Sequence, residues 1–127
     1  MTTLVVAAII QDSEHSYLCA KRGDWKAAAN KWEFPGGKPE DNELLEDAIV
    51  REIREELGVD IAVRRMFDRT TTGEIDLVAF VCDLLSEKPT HSTDHSELRW
   101  VPESELSKLD WAAPDLPAVK RILIPFC

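Results

Sequence analysis

The chain has 127 residues, 44% apolar and 31% charged, with a formal net charge of −9. That is room for one domain with a core, spanning residues 1–127, and too little for two. The acidic balance excludes a nucleic-acid groove, which needs a basic face, but admits a small anionic ligand bridged by divalent cations.

Residues 4–11 (LVVAAIIQ) are almost continuously apolar, as in a strand covered on both faces. The run is too short to span a bilayer and has no basic flank or cleavage site, so neither a membrane partner nor a signal peptide is expected. A polar turn follows at 11–15, and a second strand at 16–21. Residues 22–31, with Gly23, Asp24 and three alanines, read as a surface loop or short helical turn. Residues 32–34 form a short extended piece, which Pro35, Gly36 and Gly37 should stop by turning the backbone.

A helix is predicted from Asn42 or Glu43 to Leu57, capped by Asp41 or Asn42 and stopped by Gly58 in a left-handed conformation. Leu45, Ile49, Ile53 and Leu57 lie four apart, with Ala48 beside them, and make its apolar stripe. Glu52, Glu55 and Glu56 are spaced i, i+3, i+4, on one side within about one turn. Glu52 and Glu56 fall inside the arc set by Leu45, Ala48 and Ile49, where a purely structural helix would place alanine or leucine. An unpaired desolvated charge costs on the order of several kcal/mol, so these acids need a partner. Oxygen donors alone suit a hard divalent ion such as Mg²⁺, with Mn²⁺ as a substitute.

A strand is expected over 59–63 and on to 71, a hairpin turn at Thr72-Gly73, and a long apolar strand over 75–84. Residues 86–96 read as a polar loop, 98–101 as a short strand, 102–106 as a helix start, 110–114 as a loop and 116–123 as a closing helix. Strands before and after a central helix, with more helix at the end, give an α/β layered domain around a mixed sheet. Cys19, Cys82 and Cys127 are scattered and odd in number, which points to free thiols in a reducing cytoplasmic setting. His15, His91 and His95 show no ligand spacing with them, so zinc is set aside.

Residues 37–59 (GKPEDNELLEDAIVREIREELGV) resemble the signature of the Nudix hydrolases, matching at Gly37, Glu43, Arg51, Glu52, Ile53, Glu55, Glu56, Gly58 and Val59. Residues 30–38 (NKWEFPGGK), 98–101 (LRWV) and 113–117 (APDLP) are similar to MutT-type nucleoside triphosphate pyrophosphohydrolases of that family. The resemblance implies an α/β/α sandwich, a divalent cation, and attack of water at phosphorus to give a nucleoside monophosphate and pyrophosphate. It implies Glu52, Glu55 and Glu56 as metal ligands, joined by the Gly36 carbonyl, with Arg51 orienting a catalytic glutamate. It also implies a further acid six residues before Trp100. There this chain has Asp94, one methylene shorter than the usual glutamate, with Glu97 the nearest other acid. Asp94 is either that ligand or an ordinary loop charge, and the general base is either Glu52 or Asp94.

By the same resemblance, Arg22, Phe34 and Asp115 fall at base-contacting positions, and Lys38 either steadies phosphates or is a surface cation. Asp115 has a second reading, as N-cap of the last helix. Trp25, Trp32, Trp100 and Trp111 could stack on a base, against core packing as the default. The pattern around Asp115 resembles relatives acting on CTP and 5-substituted dCTP. The expected function is therefore Mg²⁺-dependent pyrophosphohydrolysis of cytidine nucleotides by a monomer or homodimer. Its alternatives are 8-oxo-dGTP hydrolysis and a non-catalytic nucleotide sensor.

Overall fold

The computed structural model describes residues 1–124; Cys127 lies outside them. The strands are β1 (Thr3–Ile10), β2 (Ser16–Arg22), β3 (Trp32–Glu33), β4 (Gly36–Gly37), β5 (Ile61–Thr72), β6 (Ile75–Leu84) and β7 (His95–Pro102). Helix α1 spans Leu45–Leu57 and α2 spans Leu116–Leu123, with short 3₁₀ turns at Glu103–Lys108 and Ala113–Asp115. A mixed sheet has the order β4-β1-β6-β5, and a second sheet the order β3-β2-β7. In the first sheet β1 runs parallel to β6, while β4 and β5 are antiparallel to their neighbours. The second sheet is antiparallel throughout.

Strand β1 explains its own composition. Val6, Ala8 and Ile10 face one core, shared with Ile49, Ile53 and Leu57 of α1. Ala7 and Ile9 face the other, shared with Leu106, Ala118 and Val119. Strand β6 divides likewise, Val78 and Phe80 to the first core and Leu77 and Ala79 to the second. With helices on both sides, neither face of these strands meets water, so strict alternation disappears from the sequence. This is the α/β class expected, layered as a sandwich.

Gly58 ends α1 as expected, at φ 68° with its N–H donating to the Arg54 carbonyl at 3.0 Å. The start of α1 differs. The helix begins at Leu45, and the residue in the cap position, Leu44, offers no side-chain cap. Asp41 and Asn42 are exposed in the preceding turn, where Asn42 takes φ 64°. Glu43 is committed elsewhere, accepting the Glu40 N–H at 2.9 Å and binding Arg51.

The Pro35-Gly36-Gly37 segment does not stop the strand region either. Gly36 and Gly37 pair with Ala7 and Val6 of β1. Neither has positive φ. A Cβ on Gly36 would collide with the Val6 carbonyl, and one on Gly37 with the Glu52 carboxylate. Close approach, not turning, is what requires glycine here. Strand β7 starts at His95 rather than 98, because its pairing with β2 continues through Leu98↔Ala20 and Glu97↔Lys21 to His95↔Arg22. The loop expected at 110–114 is docked on β3, with the Trp32 N–H donating to the Asp110 carbonyl and the Ala112 N–H to the Trp32 carbonyl, both at 2.8 Å. Cys19 and Cys82 are free and buried, and burial pushes both thiols up to about 12.

Candidate active site

Glycine pairing at β4 leaves α1 close to β1, and a cavity of about 610 Å³ opens beside them. Its floor is Val5, Val6 and Ala7 of β1. Its acidic end gathers Glu52, Glu56 and Asp94, with Gly36, Gly37 and Lys38 also lining it, and the charge of Glu33 reaches both Glu56 and Asp115. Phe34 and Asp115, joined by a hydrogen bond, and Arg22 complete the lining. The structure therefore gathers Arg22, Phe34, Gly36, Lys38, Glu52, Glu56, Asp94 and Asp115 around one space. Arg51 and Glu55 do not line it. Glu97 points away too, paired with Arg99 at 2.8 Å.

Glu56 is buried and carries, in its Oε2, the one buried side-chain oxygen without a hydrogen-bond partner among the described residues. Burial, then the charges of Asp94, Glu52 and Glu33, push its carboxyl up to about 9, with Lys26 opposing. The expectation that carboxylates sit on the inward side of the helix thus holds most fully for Glu56. Glu52 is half-buried, and the Glu55 side chain is 59% exposed.

Arg51 organises this end. Its Nε and Nη2 donate to the two carboxylate oxygens of Glu43 at 2.9 and 3.0 Å. Nη1 donates to Glu52 at 3.0 Å and Glu55 at 3.1 Å, and Nη2 also donates to the Lys38 carbonyl at 3.1 Å. Such a fork is specific to a planar guanidinium. Asp94 is brought in by its loop: the Thr93 N–H donates to the Glu56 carbonyl at 3.0 Å, satisfying an acceptor of the last helical turn. Lys26, from the 22–31 segment, pairs with Asp94. Lys38 has no ion-pair partner among the described residues and is exposed at the cavity edge.

Asp115, also lining the cavity, is 5% exposed and accepts the Phe34 N–H at 3.0 Å. It precedes α2 but makes no side-chain cap, so the capping reading is not realised. Burial, then Glu33, hold its carboxyl well above the usual range, although the Phe34 N–H pulls it back. Glu33 balances differently. Burial pushes it up, but hydrogen bonds with His95 and Arg22 more than offset this, leaving it below the usual range. Arg22 Nη1 donates to Glu33 at 2.8 Å and Nε to the Ala27 carbonyl at 2.6 Å. The Phe34 ring packs on Trp111, centroids 4.9 Å apart. None of the four tryptophans lines the cavity. Trp32 and Trp111 are core residues, Trp100 lies under Lys88, and Trp25 is 64% exposed against Gly23.

Sequence reasoning missed Glu33, Lys26, Ser92 and His95. Glu33 had a signal, being a charge between Trp32 and Phe34 on a strand whose neighbours both point into the core. Lys26 had none, since nothing in residues 22–31 predicts its reach to Asp94.

A domain profile described as the NUDIX domain matches residues 1–122. The chain belongs to the Nudix family. The Escherichia coli (strain K12) CTP pyrophosphohydrolase is 35% identical to this Nudix enzyme over 124 residues, covering 94% of this chain and 90% of that one. A Mycobacterium tuberculosis protein whose name contains 8-oxo-dGTP diphosphatase 2 is 34% identical over 117 residues, covering 88% and 81%. The solution structure of MutT from methicillin-resistant Staphylococcus aureus 252 is 40% identical, with a TM-score of 0.76 and coverage of 97% and 98%. This chain is accordingly a nucleotide pyrophosphohydrolase of the Nudix type. No helix among its described residues is long and apolar enough to cross a membrane.

Nudix hydrolases need divalent metal ions. Among the described residues no three acidic, histidine or cysteine groups are clustered closely enough to hold one, and Arg51 pairs with both Glu52 and Glu55. The donor chemistry nevertheless fits such an ion. A buried carboxylate oxygen without a partner, facing further carboxylates, is what a hard cation with oxygen ligands would satisfy.

Proposed function

We propose that this Nudix enzyme hydrolyses cytidine nucleoside triphosphates, CTP, dCTP or 5-modified forms, to the monophosphate and pyrophosphate. The observation that carries the reading is one cavity lined both by an acidic group beside Lys38 and by Phe34 with the buried Asp115 and the half-buried Glu33. Glu52, Glu56, Asp94 and the Gly36 carbonyl would hold Mg²⁺, with Glu55 at the exposed edge. When bound, Mg²⁺ offsets phosphoryl charge and acidifies water.

The chain's own residues do the rest. Arg51 holds Glu52 and Glu55 in fixed orientations. One of Glu52 and Asp94, which both line the cavity, would take a proton from the attacking water as the phosphorus–oxygen bond to the leaving group breaks. Lys38, free of other ion pairs among the described residues, attracts the polyphosphate. Phe34 presents an apolar face to the base. A carboxylate accepts hydrogen bonds only, and a protonated one also donates, so Asp115 with a raised pKa complements the donor–acceptor edge of cytosine.

Guanine can present a similar edge, and the Mycobacterium tuberculosis relative is nearly as similar as the cytidine one, which gives 8-oxo-dGTP as the second reading. Pyrophosphate release with Mg²⁺ from CTP, dCTP, 5-methyl-dCTP, 8-oxo-dGTP and the remaining nucleoside triphosphates tests this. Cytidine substrates should lead in kcat/KM by about tenfold or more, the worth of one discriminating hydrogen bond. A lead for 8-oxo-dGTP replaces the substrate; turnover of ADP-ribose alone discards both readings.

A further inference from the structure

We propose that His95 is a positioning residue that holds two cavity-lining acids at once, Glu33 directly and Asp94 through its loop. This rests on the reading of the cavity as a nucleotide site. The His95 side chain is 1% exposed and does not itself line the cavity. It stands at the first position of β7, opposite Arg22, where the β2–β7 register shifts. Its Nε2 lies 2.8 Å from Glu33 Oε2, and its Nδ1 2.8 Å from Ser92 Oγ. The Glu33 carboxylate can only accept, so Nε2 donates to it; in the neutral ring Nδ1 then accepts the Ser92 hydroxyl hydrogen, while Ser92 Oγ accepts the Asp94 N–H at 3.1 Å.

A continuous chain results, Arg22–Glu33–His95–Ser92–Asp94, with a rigid ring at its centre. Glu33 and Asp94 both line the cavity. A ring with two nitrogens at fixed separation sets the spacing between the residues it binds, which a flexible side chain would not. The network thus ties the position of Glu33 to that of the Asp94 loop.

Two substitutions cut the chain on opposite sides. Asparagine reaches only as far as Nδ1, and glutamine as far as Nε2. In His95→Asn, Glu33 loses its histidine partner and keeps only Arg22. The KM for the preferred nucleotide should rise about tenfold, more than kcat falls, and the preference among nucleotides should shrink by a similar factor, as loss of a charged-group hydrogen bond implies. In His95→Gln, Glu33 keeps its partner and the ranking stays, while kcat drops about tenfold because the Asp94 loop is released. Ser92→Ala, which leaves His95 in place, should reproduce the glutamine pattern and serves if either histidine variant fails to fold. Thermal melts accompany each variant. Equal losses of kcat in both histidine variants with an unchanged ranking, or normal kcat in Ser92→Ala, would overturn the proposal. A wild-type ranking led by a base other than cytosine would refute the substrate reading only. An asparagine variant that keeps the wild-type ranking would refute only the role of His95.

Discussion

Glu56→Gln should stabilise the metal-free protein while destroying its activity. The carboxyl ordinarily titrates at 4.5 and is pushed up to about 9 in the fold, first by burial and then by Asp94, Glu52 and Glu33. Between those pH values the folded state holds a proton that the unfolded state has released. Wild-type stability therefore falls as pH rises through this window. At pH 7 the penalty is roughly 3 kcal/mol, taking about 1.4 kcal/mol per pH unit above 4.5. Glutamine ionises in neither state, and its unpartnered amide replaces an unpartnered acid, so that cost cancels. With EDTA present, the variant should match wild type near pH 4 and melt roughly 10 °C higher at pH 7. The measurement is the difference in melting temperature between the two proteins across pH 4–8, which removes every other titrating group. A difference that does not grow with pH, or a variant less stable at pH 8, refutes the reasoning. In the same variant, Mg²⁺-dependent turnover should fall by more than about a hundredfold, since even an outer partner of a metal ligand can carry that much.

Arg51→Lys retains charge but cannot span Glu43, Glu52 and Glu55 together; kcat should fall about 10–100-fold with little change in melting temperature. Gly36→Ala drives a methyl group into the β1 backbone and should destabilise by about 1–3 kcal/mol in urea titrations, whereas Gly37→Ala displaces the Glu52 carboxylate and should cost activity before stability. Asp115→Ala leaves the buried Phe34 N–H unsatisfied and should cost about 1–3 kcal/mol; Asp115→Asn keeps that acceptor and should instead change the ranking of nucleotides in the release assay.

What the sequence disclosed follows from how local each cause is. The apolar stripe of α1 and the left-handed Gly58 depend on one helix, and the structure shows both as read; of the i, i+3, i+4 acids, Glu52 and Glu56 line the cavity while Glu55 stands exposed outside it. Gly36 and Gly37 misled because their reason is the proximity of β1 and Glu52, which lie far along the chain from each other. The helix start was misplaced because Glu43 serves Arg51 rather than the helix end. The N-cap reading of Asp115 fails because its carboxylate accepts the Phe34 N–H instead, set in place by the docking of residues 110–112 on β3. His95 went unread because a histidine in a polar run looks solvated until Glu33 and Ser92 close around it.

The floor of the cavity has a dynamic consequence. Val5, Val6 and Ala7 belong to an interior strand hydrogen-bonded on both sides and packed by two cores. Amide exchange there should be among the slowest in the protein, beside the proposed nucleotide site. Any movement that admits substrate then falls to cavity-lining loop residues such as Lys26, Ala27, Ala28 and Asp94. The enzyme would breathe at its edges over an anvil that stays still.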